Sequence, residues 1–167
     1  MDETVLRTLV IDFKREALRK GFKLTFSTIG TSMVPFIRSR NKIVVTDCDK
    51  ARLKPGDLIL FQGNNGSDKI IAHRIVKKIK EEDGYLFITK GDSSTGYDRP
   101  ISGDMIIGKI TEVRKPGFTI LLDSSFGRFI NLCMLFISLS GIISLGHKIW
   151  RKIKPFLKHQ TDYCPPK

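Results

Sequence analysis

One serine, one histidine and two aspartates, each set in a short motif, are the residues of this chain whose types and spacing could do chemistry. Ser32 lies in Ile29-Gly30-Thr31-Ser32-Met33-Val34-Pro35. Gly30 permits close backbone approach, Met33 offers a soft apolar anchor and Pro35 fixes the exit, so the segment reads as a tight turn after a strand. Such a turn can hold a hydroxyl at the mouth of a cleft, with backbone N–H groups beside it to bind an oxyanion. By itself a serine in a Gly/Pro loop is an ordinary turn residue. A serine hydroxyl is a poor nucleophile until a neighbour takes its proton, and an imidazole can do so near neutral pH. His73, in Ile70-Ile71-Ala72-His73-Arg74-Ile75-Val76, is the histidine available, because His147 and His159 lie in a basic tail. Asp92 stands in Thr89-Lys90-Gly91-Asp92-Ser93-Ser94 and Asp98 in Tyr97-Asp98-Arg99-Pro100. Taken singly they read as a Gly-Asp turn and a solvated loop charge. Beside a Ser/His pair, Asp98 could orient the imidazole.

The elements that must position these groups are mostly strands. Residues 23 to 122 break into short β-like runs at 23–29, 43–46, 58–62, 70–79, 85–89, 105–113 and 118–122. Turn residues separate them: Pro55-Gly56-Asp57, Gly63-Asn64-Asn65-Gly66, Glu82-Asp83-Gly84, Gly91–Pro100 and Lys115-Pro116-Gly117. This texture predicts meanders and hairpins, a mainly β fold without βαβ units. Ahead of it, residues 3–19 place Val5, Leu6, Leu9, Val10, Phe13 and Ala17 on one helical face, with Lys20-Gly21 as the stop. That amphipathic helix carries too many charges to span a bilayer, and it is expected to cap a core through its apolar face.

Behind the strands, Phe129–Gly146 is an uncharged stretch of 18 residues followed by Lys148, Trp150, Arg151, Lys152 and Lys154. Eighteen helical residues reach about 27 Å, just under a hydrocarbon core of roughly 30 Å. A spanning helix with an aromatic and basic anchor, or one lying in the membrane interface, would both fit. The expected organisation is therefore an N-terminal helix over 1–21, a β domain over 22–123, and an apolar helix with a basic tail over 124–167.

Charge agrees with that division. The 167 residues carry a net charge of +12, and residues 124–167 hold seven Lys/Arg against one Asp/Glu, so half the excess sits in the last quarter. A basic tail beside an apolar run points to an anionic membrane surface rather than nucleic acid, and the β region has no aromatic stacking motif of the RNA-binding kind. Cys48, Cys133 and Cys164 are odd in number and widely spaced, which argues against a disulfide framework or a zinc site; no cofactor is expected.

In order along the chain, G-T-S-M-x-P, P-G-D-L-I-L-F, A-H-R-I-V, T-K-G-D and I-I-G-K-I span about residues 25–113. This set resembles the signal peptidase superfamily, which also contains the LexA-type self-cleaving repressors. The resemblance implies a folded β-sheet domain, a serine endopeptidase activity on signal peptides or similar leader segments, and small residues before the scissile bond. It implies Ser32 as nucleophile and His73 where other members carry lysine, as in the endoplasmic-reticulum and archaeal branch. Asp98 matches that branch's charge-relay acid, and Asp92 the aspartate of its Gly-Asp motif, here expected to support the site. Gly30 stands where signal peptidases usually have a serine whose hydroxyl helps bind the oxyanion. That task would fall to the Ser32 N–H with help from Thr31, and losing one such donor can cost about 100-fold in rate. The expected partners are a peptide or preprotein substrate and a membrane, the latter through residues 129–154. Two alternatives carry other expectations: a LexA-like self-cleaving peptidase, which needs a cleavable Ala-Gly or Cys-Gly ahead of the domain, and a catalytically weak peptide-binding relative. The first 30 residues contain neither dipeptide.

Overall fold

The computed structural model describes residues 3–63 and 69–140. Its framework is one antiparallel sheet that curls into a half-barrel, flanked by two helices. Helix α1 (Glu3–Arg19) leads into β1 (Leu24–Ser27), β2 (Lys42–Thr46), β3 (Leu58–Gln62), β4 (Ile70–Glu81), β5 (Gly84–Lys90), β6 (Ile101–Ser102), β7 (Ile106–Lys115) and β8 (Phe118–Leu121). Helix α2 (Ser125–Leu139) follows. The strands lie in the order β1-β2-β7-β3-β4-β5-β6, and β8 adds to β7. The mainly β expectation thus holds, and each predicted strand run is found, 58–62 with its bounds unchanged and the others with an end shifted by one or two residues.

Strand β7 organises the sheet because it is long enough to serve several partners. Along one edge, Lys109–Arg114 pair with β2. Along the other, Ile106–Lys109 pair with β3 and Glu112–Lys115 with β8. Bulges at Val44/Val45, Leu60/Phe61 and Ile75/Lys77 break the ladders and sharpen the local twist, which bends the sheet.

Both faces of the central strands are buried. Alternation sends Leu58 and Leu60 of β3 to a cluster with Met33, Phe36, Ile37, Ile107 and Leu122, while Ile59 and Phe61 join Leu53, Ile75, Phe87 and Ile101 on the opposite face. This is why β3 reads as an unbroken apolar run rather than an alternating one.

The first helix is seated differently from expectation. Ile11 and Leu18, seven residues apart, are its buried apolar residues, and Ala17 is half-buried. Val5, Leu6, Leu9, Val10 and Phe13, expected against the core, are 44–75% exposed. The helix caps the core along the stripe of Ile11, Arg15 and Leu18, the i, i+4, i+7 line that a short contact with β7 can cover, and its richer apolar face turns outward.

Helix α2 takes in the first part of the apolar run from Phe129 and is capped by the Ser124 hydroxyl, which accepts from the Gly127 N–H at 3.0 Å. Residues 141–146 of that run and the basic flank at 147–154 lie outside the described residues. Among the described residues no helix is long and apolar enough to cross a membrane.

Candidate active site

The loop between β1 and β2 is built to hold a short turn in a fixed place. At its base the Thr28 hydroxyl donates to the Arg38 and Asn41 carbonyls at 2.7 and 3.0 Å, while Asn41 Oδ1 accepts from the Arg38 N–H at 2.9 Å. Within the loop Ile37 N–H donates to Met33 O at 2.8 Å, and Met33, Phe36 and Ile37 are buried in the core. The Val34–Pro35 peptide is cis. Anchored from below by these apolar side chains, the turn presents Ser32 at the surface.

The segment after β5 meets this turn from the other side. Ser93 N–H donates to Ser32 O at 2.8 Å, and the Ser93 hydroxyl to Thr31 O at 2.7 Å. Gly91 lies in the angle between Ser32 and His73: a Cβ added there would stand 2.7 Å from Ser32 O and 3.0 Å from His73 Nε2. Close approach, expected of Gly30, therefore belongs to Gly91. Gly30 has open space around it, and its φ of +103° is what requires glycine. Gly91→Ala should consequently cut the rate of any reaction through Ser32 by about 100-fold, since displacement of about 1 Å is enough for such a loss. Steady-state kinetics on the variant, with circular dichroism as the check on folding, would read this; an unchanged rate would mean that the contact does not set the geometry.

His73 projects from β4 beside Ile59 of β3, its directly paired neighbour, with the Phe61 ring edge-on at a centroid distance of 6.2 Å. It is 8% exposed. Its Nε2 faces Ser32 Oγ at 3.0 Å and its Nδ1 faces Asp98 Oδ2 at 2.6 Å. With Asp98 accepting from Nδ1–H, Nε2 is left as the acceptor toward the serine hydroxyl. Asp98 is held in turn by Thr89: the hydroxyl donates to Oδ2 at 2.7 Å, and Asp98 N–H donates to Thr89 O at 2.8 Å. Burial pushes the Asp98 carboxyl up, but the hydrogen bond and charge of His73, with the Thr89 hydroxyl, outweigh it and hold the group below its ordinary value. The carboxylate facing the imidazole is thereby kept charged. A hydroxyl, an imidazole and a carboxylate in hydrogen-bonded sequence can deprotonate the hydroxyl and stabilise the resulting imidazolium.

Asp92 has a different partner. It is fully buried and takes a two-pronged contact from Arg74, Nε to Oδ1 at 2.8 Å and Nη2 to Oδ2 at 2.9 Å. Arg74 is 1% exposed, and its Nη1 donates further to Gly56 O and Asn131 Oδ1, both at 2.9 Å. The structure thus brings Ser32, His73 and Asp98 together, places Gly30, Thr31, Met33 and Pro35 in the turn that carries Ser32, and sets Asp92 apart from them on Arg74. Sequence reasoning passed over Arg74, Thr89, Gly91 and Ser93. Arg74 alone left a signal, since an arginine inside an apolar strand must find an acid somewhere.

A cleft leads to the serine. Phe26, Ile29, Leu60, Ile70 and Ala72 line its apolar part, and Thr28, Ile29, Gly30, Met33 and Ala72 line a small open cavity of about 30 Å³ beside Ser32. Among the described residues no group of His, Cys, Asp and Glu side chains is arranged to hold a metal ion.

With this geometry in view, comparison with known proteins gives one informative match. The chain is 32% identical over 92 residues to signal peptidase I W of Bacillus subtilis (strain 168). It is similar to a signal peptidase I. The match covers 54% of this chain and 47% of that protein, so the chain spans about half the length of the curated relative. No protein-family model matches the sequence.

Proposed function

We propose that this chain is a serine endopeptidase of the signal-peptidase kind, belonging to the branch that pairs serine with histidine. The observation that carries the reading is the hydrogen-bonded line Ser32 Oγ–His73 Nε2 at 3.0 Å and His73 Nδ1–Asp98 Oδ2 at 2.6 Å, next to an apolar cleft. The match to a signal peptidase I supports the reaction class and a peptide or preprotein as substrate.

In this mechanism the substrate lies extended beside β1, a terminal strand of the sheet order, where main-chain bonds can be added at the edge. His73 takes the Ser32 proton as Oγ attacks the scissile carbonyl. The oxyanion is met by the Ser32 N–H with help from the Thr31 hydroxyl, and His73 then returns the proton to the leaving amine. Water, activated by the same imidazole, releases the acyl fragment. Asp98 orients the imidazole, and Asp92 supports the strand through Arg74. The β domain over 22–123 is the catalytic unit, flanked by the N-terminal segment 1–21 and the segment 124–167.

Membrane association belongs to the same proposal. Phe126, Phe129, Leu132 and Phe136 of α2 are 48–71% exposed, and Lys148, Arg151, Lys152 and Lys154 follow in sequence. Apolar outward residues next to a cationic stretch suit an anionic lipid surface.

Substrate choice follows from the cavity beside Ser32. At about 30 Å³ it is much smaller than the apolar cleft of about 190 Å³ that it adjoins, which favours a small side chain beside Ser32. Among quenched peptides differing only in the residue before the scissile bond, alanine should be cleaved about 10-fold faster than leucine or more, because the larger side chain fits the small pocket less well. Equal rates for the two would remove this cavity from the mechanism.

A further inference from the structure

The ladder between β4 and β5 pairs Arg74 with Lys90 and Ile75 with Thr89. Paired residues share a face of the sheet and successive residues alternate. His73 and Thr89, the two residues that bind Asp98, therefore stand on one face, and Arg74 and Lys90 stand behind them on the other. Helix α2 closes that second face. Asn131 Oδ1 accepts from Arg74 Nη1 at 2.9 Å, and Ser138 accepts from Lys90 Nζ twice, through its carbonyl at 2.7 Å and its hydroxyl at 3.0 Å. Arg74, Lys90, Asn131 and Ser138 are 1%, 4%, 4% and 2% exposed.

The helix is seated against the usual pattern. A surface helix normally turns its apolar stripe inward and its polar residues outward. Here Asn131 and Ser138, two turns apart and so on one face, point in, while Phe126, Phe129, Leu132 and Phe136 point out. Leu135 and Gly127 are the other fully buried positions, with Ile130 and Met134 packed part-buried against the core. Polar groups buried at this depth are costly unless paired, and what they pair with are the two cations directly behind the candidate base.

We infer that Asn131 and Ser138 are positioning residues for the Ser32–His73 pair, and that α2 is a strut of the reaction centre rather than a detachable appendage. The inference rests on the peptidase reading. Two covalent steps carry it. Arg74 follows His73 in the strand, so fixing its guanidinium fixes the backbone from which the imidazole projects. Lys90 precedes Gly91, where an added Cβ would stand 2.7 Å from Ser32 O and 3.0 Å from His73 Nε2, so the backbone there sits close to both residues. A buried guanidinium or ammonium that loses an acceptor shifts or admits water, and the shift falls on these two backbone positions.

The test compares the full chain with Asn131→Leu/Ser138→Ala, which removes both side-chain acceptors, and with Asn131→Asp/Ser138→Thr, which keeps an oxygen at each place. Two readouts are taken: kcat and KM on a quenched alanine peptide, and the downfield His73 Nδ1–H proton signal by NMR, which needs no substrate. In the Leu/Ala variant kcat should fall about 10-fold with KM unchanged to about twofold, because the cleft is lined by other residues, and the proton signal should broaden. The Asp/Thr variant should restore both. Unchanged kcat and signal would overturn the inference, as would a loss that Asp/Thr does not rescue. If the Leu/Ala protein does not fold, Ser138→Ala alone, which removes one acceptor of two from Lys90, is read by the same criteria. Should Ser32→Ala cleave like the parent, the peptidase reading fails instead, and the NMR signal still decides whether α2 reaches His73.

Discussion

Ser32→Ala and His73→Ala proteins will each lose about 10⁴-fold or more in kcat on the alanine peptide while remaining folded. The magnitude follows from the roles acting as a unit. Without the hydroxyl no acyl-enzyme forms, and without the imidazole a serine hydroxyl stays protonated at neutral pH. Residual catalysis can come only from substrate binding and the oxyanion donors. Folding should survive because neither residue anchors the structure. The Ser32 turn is held by Met33, Phe36 and Ile37 below and by Ser93 on Ser32 O, a main-chain contact that alanine keeps. Removing His73 leaves Asp98 still bonded to Thr89. Thermal unfolding followed with the kinetics separates the two effects. A His73→Ala protein that cleaves at the parent's rate would be inconsistent with the mechanism.

The two aspartates should part company in opposite directions. Asp92→Ala leaves the Arg74 guanidinium buried without its carboxylate, and breaking such a pair costs about 3–5 kcal/mol, a large share of a domain's stability. Asp98→Asn changes a group whose side chain is 30% exposed and whose Thr89 partner remains, so unfolding should move by no more than about 1 kcal/mol. Its kinetic cost should be severe, about 10⁴-fold, because an amide lets the imidazole settle with its proton on the wrong nitrogen. Urea unfolding and steady-state kinetics on both variants give four numbers. The account requires the stability loss in Asp92→Ala and the rate loss, without it, in Asp98→Asn. The reverse assignment would make Asp92 the acid of the reaction.

Much of the fold was legible because strands and turns are local. Pro55-Gly56-Asp57 leads directly into β3, and Glu82-Asp83 joins β4 to β5 across a short hairpin. The two-residue strand β6 left no periodicity to read, being shorter than one repeat of the pattern. Ser32, His73 and Asp98 could be picked out as residue types in recurring words, but the distances among them depend on a sheet that brings positions 41 and 25 residues apart together. What the sequence hid are contacts that only packing creates. Nothing near Arg74 announces that its partners are Asp92, 18 residues on, and Asn131, 57 residues on. The outward face of α1 was equally hidden: Val5, Leu6, Leu9, Val10 and Phe13 form the richer stripe, yet the contact with the sheet runs through Ile11 and Leu18. Hydrophobic periodicity finds a helix more surely than the side on which it rests.

Labelling with an alanine-terminated peptidyl phosphonate, followed by intact mass and peptide mapping, bears most directly on the coupling of His73 to Ser32. The parent protein should gain one adduct, mapped to the peptide containing Ser32, and His73→Ala should label about 100-fold more slowly or worse, the contribution expected of a general base. An adduct on another side chain, or equal labelling rates with and without the imidazole, would contradict the account.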